Sequence, residues 1–143
     1  MVFEQKGRHL EDLPKAKILP RLIAKGIDFI IVGALLETIP RVGYFAGMAY
    51  LAVGDGFFDG RSVGKKLIGL MVVKTDGDGR CTYRESIIRN SPFLIGYVLM
   101  IIPWIGWLFP LIVIVFESLL IIGSKSGMRL GDEIAKTQVI EKQ

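Results

Sequence analysis

Residues 91–122 read SPFLIGYVLMIIPWIGWLFPLIVIVFESLLII, and Glu117 is the only charged side chain among them. An apolar run of about 18 or more residues with few charges reads as a membrane-spanning helix. As one helix this segment would be about 48 Å long, against a hydrocarbon core of about 30 Å. Pro103, Gly106 and Pro110 fall in its middle, flanked by Trp104 and Trp107, and tryptophans favour a membrane–water interface. Spans tolerate proline, but a hairpin of two short spans, 90–103 and 107–122, fits the length better than one kinked helix.

Toward the N-terminus, residues 22–39 form an earlier apolar run. Pro20 suits the first turn of a helix, where its missing N–H costs nothing, so a first span is expected over 20–38. The run is too long for the apolar part of a signal peptide, and its end is a poor cleavage site. Pro40 and Gly43 mark a tight turn before a second span over 43–58. The chain is 51% hydrophobic over 143 residues. The expected fold is all-α and integral to a membrane: four short transmembrane helices in two hairpins, forming one domain over 1–143.

Cation placement sets the expected orientation. The lead-in, 1–19, and the start of the first span carry Lys6, Arg8, Lys15, Lys17, Arg21 and Lys25. The 59–89 loop carries Arg61, Lys65, Lys66, Lys74, Arg80, Arg84 and Arg89, and the tail, 123–143, carries Lys125, Arg129, Lys136 and Lys142. Of the 18 cations only Arg41 lies in a short turn. The positive-inside rule then makes lead-in, loop and tail cytoplasmic. The expected location is a cell (inner) membrane, multi-pass, with both termini inside. The net charge of +4 needs no nucleic-acid partner on this reading.

Between the hairpins the chain changes character. Met71-Val72-Val73, the Asp76-Gly77-Asp78-Gly79 turn and Cys81-Thr82-Tyr83 read as strand, turn and strand. Thr82 with Glu85 three residues on is a capping-box pattern that starts a helix near Tyr83. Val139 and Ile140 read as a strand whose good partner is Leu70–Lys74, giving a small cytoplasmic β-patch. Gly60 to Lys66 fails as a phosphate-binding loop: the first glycine is missing, and Lys66 stands where Ser or Thr belongs. Its cations Arg61, Lys65 and Lys66 suit anionic lipid headgroups instead, at about 1 kcal/mol each near a surface. With one cysteine, Cys81, and one histidine, His9, neither a disulfide, a Cys/His metal site nor a histidine-based catalytic triad can be assembled. No enzyme, cofactor or metal is expected.

Four stretches resemble the RDD family. They are Arg21-Leu22-Ile23-Ala24-Lys25-Gly26-Ile27-Asp28, Gly60-Arg61-Ser62-Val63-Gly64-Lys65-Lys66, Arg89-Asn90, and Arg129-Leu130-Gly131-Asp132-Glu133-Ile134-Ala135-Lys136-Thr137-Gln138-Val139. They occur in the family's order and spacing over about 18–140, with Arg21, Asp28 and Asp132 at the name-giving positions. The resemblance implies a membrane protein of uncertain function, with cation/proton antiport attributed to some members. The short 38–42 turn departs from the family pattern, and Glu117 lies outside it.

Arg21, Lys25 and Asp28 share one helix face, and an intramembrane charge is expected to face a bundle interior. Two readings of the Arg21, Asp28, Asp132 and Glu117 set stay open. Asp28 is a proton or cation acceptor with Asp132 competing for Arg21, or the three form a fixed clasp holding the tail to the first span. Glu117 is a second proton site or a protonated, hydrogen-bonded group, and Asp55 is expected to be hydrated at the interface. The corresponding functions are a small ion-coupled transporter of cation/proton type, an accessory or scaffold subunit beside a larger membrane protein, and a lipid-binding protein. Expected partners are the lipid bilayer, anionic lipids and further copies of the chain in a homo-oligomer.

Overall fold

The computed structural model describes residues 14–76 and 79–141. Lys6 and Arg8 of the lead-in, His9, the Gly77-Asp78 part of the expected turn, and Lys142 lie outside them. The first helix, α1 (Ile18–Thr38), has Pro20 in its first turn, and buries Arg21, Ala24, Asp28 and Val32 at helical spacing. A turn through Arg41, whose φ is +69°, leads into the antiparallel α2 (Val42–Val53) and a short 3₁₀ turn, Gly54–Gly56. Next come α3 (Val63–Ile68), capped by the Ser62 hydroxyl on the Lys65 N–H, and β1 (Leu70–Lys74).

Helix α4 (Tyr83–Leu99) begins where the capping pattern puts it, with the Glu85 carboxylate accepting the Thr82 N–H at 3.0 Å. Pro92 inside α4 cannot donate to the Ile88 carbonyl; the Ser91 hydroxyl does so instead, at 2.8 Å. After a turn around Trp104, α5 (Leu108–Gly123) runs back, followed by α6 (Leu130–Ile134) and β2 (Thr137–Glu141). Strands β1 and β2 pair antiparallel with Val72 opposite Val139, the pairing expected from sequence. Lys15 bridges to Ile140 and Val73 to Arg80, so the sheet ties the lead-in, the middle loop and the tail into one patch.

The expectation of four spans is overturned: among the described residues no helix is long and apolar enough to cross a membrane. At about 1.5 Å per residue, α2, α4 and α5 are about 18, 26 and 24 Å long, short of a hydrocarbon core of about 30 Å. Helix α1, about 31 Å, has the length but not the composition. Its 18-residue windows starting at Ile18 or Leu19 hold Arg21, Lys25 and Asp28, and later windows add Glu37. The run over 22–39 looks apolar because its charges are spaced out. The transmembrane topology and the multi-pass inner-membrane location with cytoplasmic termini fall with the spans. The architecture is mostly helical with one two-stranded antiparallel sheet.

Two close backbone approaches set the positions of the buried charges. A Cβ on Gly64 would stand 2.0 Å from the Ala24 carbonyl oxygen, and one on Gly131 would stand 2.0 Å from that of Arg89. Only glycine lets α3 lie against α1, and α6 against α4, this closely. Charged residues from four helices and the 3₁₀ turn are thereby brought to one place.

Candidate functional site

Asp132, on α6, is fully buried. Its carboxylate is paired with Arg21 of α1 and with Arg89 of α4, the latter at 2.7 Å, and accepts from Arg129 Nε at 3.1 Å. Burial alone would raise its pKa; Arg89, Arg129 and Arg21 overcome that and hold it well below the usual carboxylate range. Arg21 also donates to the Gly127 carbonyl at 2.5 Å. Arg21 and Asp132, two of the three residues of the expected clasp, thus join the tail to the first helix.

Asp28 is not part of it. Its carboxylate accepts from the Tyr50 hydroxyl at 2.7 Å, the Ser62 hydroxyl at 2.6 Å and the Gly64 N–H at 2.9 Å. The expected Arg21–Asp28 pair does not form: the two share a helix face, but Arg21 turns to the tail and Asp28 to the start of α3. Tyr50 and Ser62 carry no charge to betray this role in sequence.

Asp55, expected at a hydrated interface, is buried and paired with Lys65, with Arg89 Nε at 3.4 Å and the Asn90 amide at 3.2 Å. Burial would raise its pKa, and Lys65, Arg89 and Lys25 drive it well below the usual range. Arg89 thus bridges Asp55 and Asp132. Asn90 links the two halves: its Oδ1 accepts from Lys25 and from Arg129, both at 3.2 Å. The Arg89-Asn90 pair is visible in the sequence as a motif, but its bridging role is not.

The expected headgroup trio is dispersed. Lys65 is consumed by Asp55, Lys66 lies over the Phe58 ring at 4.1 Å, and Arg61 Nε donates to the Phe58 carbonyl at 3.1 Å. Cys81 is buried, and burial pushes its thiol up to about 11, so it is a packed side chain. Among the described residues no group of three or more His, Cys, Asp or Glu side chains could hold a metal.

Glu117, on the inner face of α5, differs from the other carboxylates. It is 2% exposed, its nearest cation is Arg129 Nε at 3.9 Å, and neither oxygen accepts a hydrogen bond among the described residues. Burial raises its pKa, Arg129 opposes this, and Asp132 adds to it. Across from it Lys25 stands over the rings of Phe93, at 4.6 Å, and Phe29, at 5.8 Å. Desolvation and repulsion from Lys65, against the pull of Asp55, bring its ammonium down to about 7. Glu117 and Lys25 both line a cavity of about 210 Å³. Leu22, Phe29, Phe93, Ile114 and Ile121 wall it, and Arg21, Arg129 and Ser118 supply further polar groups. The arrangement can exchange protons and pair with a charged guest, and the Ser118 hydroxyl in its wall donates to the Ile114 carbonyl at 2.6 Å.

The chain matches no protein-family model, no curated protein and no solved structure.

Proposed function

We propose that this chain is a non-catalytic binding module in which the Arg21, Arg89 and Arg129 cluster on Asp132 is a fixed clasp and Glu117 is the exchangeable group. The carrying observation is that Glu117 is buried with both oxygens unpartnered beside a cavity, while Asp28, Asp55 and Asp132 are saturated. A buried carboxylate without hydrogen bonds favours its neutral form or a charged guest. Ion handling thus moves from Asp28 to Glu117, facing Arg129, Arg21, Lys25 and Asp132. Kinship with the RDD family belongs to this reading. The Arg21–Asp132 pair supports it by joining two of its three named positions. The test is a carbon-13 NMR titration of the Glu carboxyls, assigned with Glu117→Gln. The Glu117 resonance should titrate above the usual range of about 4.3; titration at or below that value would sink the proposal.

A second reading concerns assembly. Leu108, Ile112, Val115, Leu119 and Ile122 of α5 are 38–69% exposed and spaced by four and three residues in alternation, the seam of helices that pack knobs-into-holes. Leu111 and Phe116, 49% and 52% exposed, widen the apolar strip, and a standard interface takes ~800 Å² per partner. This favours a homodimer through α5. Sedimentation equilibrium should show a dimer that Ile112→Asp converts to monomer; a wild-type monomer at tens of micromolar would exclude it.

A further inference from the structure

Lys25 has only the Asn90 Oδ1 as a hydrogen-bond acceptor, and it makes no ion pair among the described residues, with Glu117 or any other carboxylate. Glu117 likewise has no hydrogen-bond donor. The cavity is therefore lined by one carboxyl with no hydrogen-bond donor and one amine with a single acceptor and no ion pair, held apart from one another. A guest with a single charge would satisfy one of them and leave the other stranded, and a stranded buried charge is costly. The remaining wall, from Leu22, Phe29, Ile114 and Ile121, is apolar and calls for a hydrocarbon body. A volume of about 210 Å³ corresponds to about seven waters at ~30 Å³ each, below the ~300 Å³ at which drug-sized pockets begin.

We infer that this cavity binds a small zwitterion with an apolar body, namely a free α-amino acid with an aliphatic or aromatic side chain. The guest's carboxylate is received by Lys25 with Arg129 beside it. Its ammonium is received by Glu117, and its side chain lies against Leu22 and Phe29. Each end of the guest completes the group that the fold leaves open. The inference rests on reading Glu117 as the exchangeable carboxylate, and it adds the ligand class.

Calorimetric titration of the whole chain with three probes tests it. L-leucine carries both charges. N-acetyl-L-leucine lacks the ammonium and resembles a peptide's carboxyl end, and L-leucinamide lacks the carboxylate and resembles a peptide's amino end. L-leucine should bind, and each single-charge analogue should bind at least tenfold more weakly. Glu117→Gln should erase the preference over N-acetyl-L-leucine, and Lys25→Met the preference over L-leucinamide, with thermal unfolding confirming that both variants fold. Equal binding of N-acetyl-L-leucine would make the guest a simple amphiphilic anion, and equal binding of L-leucinamide an organic cation; either overturns the zwitterion. No binding of L-leucine to wild-type protein also overturns it. If Glu117 still titrates above the usual range in that case, the ligand class alone has failed; if it titrates normally, the reading beneath it fails too.

Discussion

Asp132 and Glu117 are buried carboxylates beside the same Arg129 side chain, whose Nε lies 3.1 Å from one and 3.9 Å from the other. Asp132 stands one turn into a short helix whose partner glycine lets α4 approach, so three guanidiniums converge on it. Glu117 stands mid-helix on α5, where neighbouring backbone groups are bonded to each other and the facing surface is a cavity. The first is held ionised and the second is pushed towards neutrality. Buried charge alone does not distinguish a structural group from an exchangeable one; the number of donors aimed at it does.

The hardest test of that contrast is Asp132→Ala, which strands three arginines. It should lower unfolding free energy by about 3–5 kcal/mol, read from denaturant unfolding. A loss no larger than that of a surface substitution would show that the cluster is not a clasp. A smaller effect separates the partners of Arg21. The Arg21→Ala, Asp132→Asn double-mutant cycle should give a coupling of about 0.5–3 kcal/mol, whereas Arg21→Ala with Asp28→Asn should add to within ~0.5 kcal/mol. Reversed couplings would mean that Arg21 belongs to Asp28 after all.

The smallest effect is a slope. Lys25 in the folded chain loses its proton near pH 7, against about 10.4 in an unfolded one. Between those values the unfolded state binds more protons, so stability rises with pH across that window and the full cost of the buried ammonium is present below it. Lys25→Met should flatten this rise and raise the melting temperature by a few degrees at pH 6, checked by thermal unfolding from pH 6 to 10. Unchanged slopes would place Lys25 in ordinary solvent. Glu117 contributes with the opposite sign: its folded pKa is raised, so it costs stability as pH climbs past the unfolded value near 4.3.

Periodicity and capping made most of the local structure legible. The Thr82–Glu85 box, Pro20 in a first turn and the β1–β2 pairing depend on neighbours within a few residues or on short apolar strands, and they stand where the sequence puts them. The membrane reading fails on a physical point: hydropathy averages over a run, whereas crossing a bilayer depends on length and on every charge within it. Arg21 and Asp28, buried, and Lys25, half-buried, are not residues of a span but one stripe of a charged helix.

The sequence by itself determined that Arg21, Lys25 and Asp28 lie on one face of α1, that an arginine precedes Asp132 by three residues, and that Glu117 is alone in its apolar run. It could not determine which cation meets which carboxylate. That depends on through-space contacts between residues 10 to 111 positions apart, set by the close approach of α3 to α1 and of α6 to α4 at glycine. Tertiary structure alone decided that Asp28 is closed by Tyr50, Ser62 and a backbone N–H, and that Glu117 is left open. Electrostatic pairing falls off over a few ångströms at a site, and sequence separation carries no information about those ångströms.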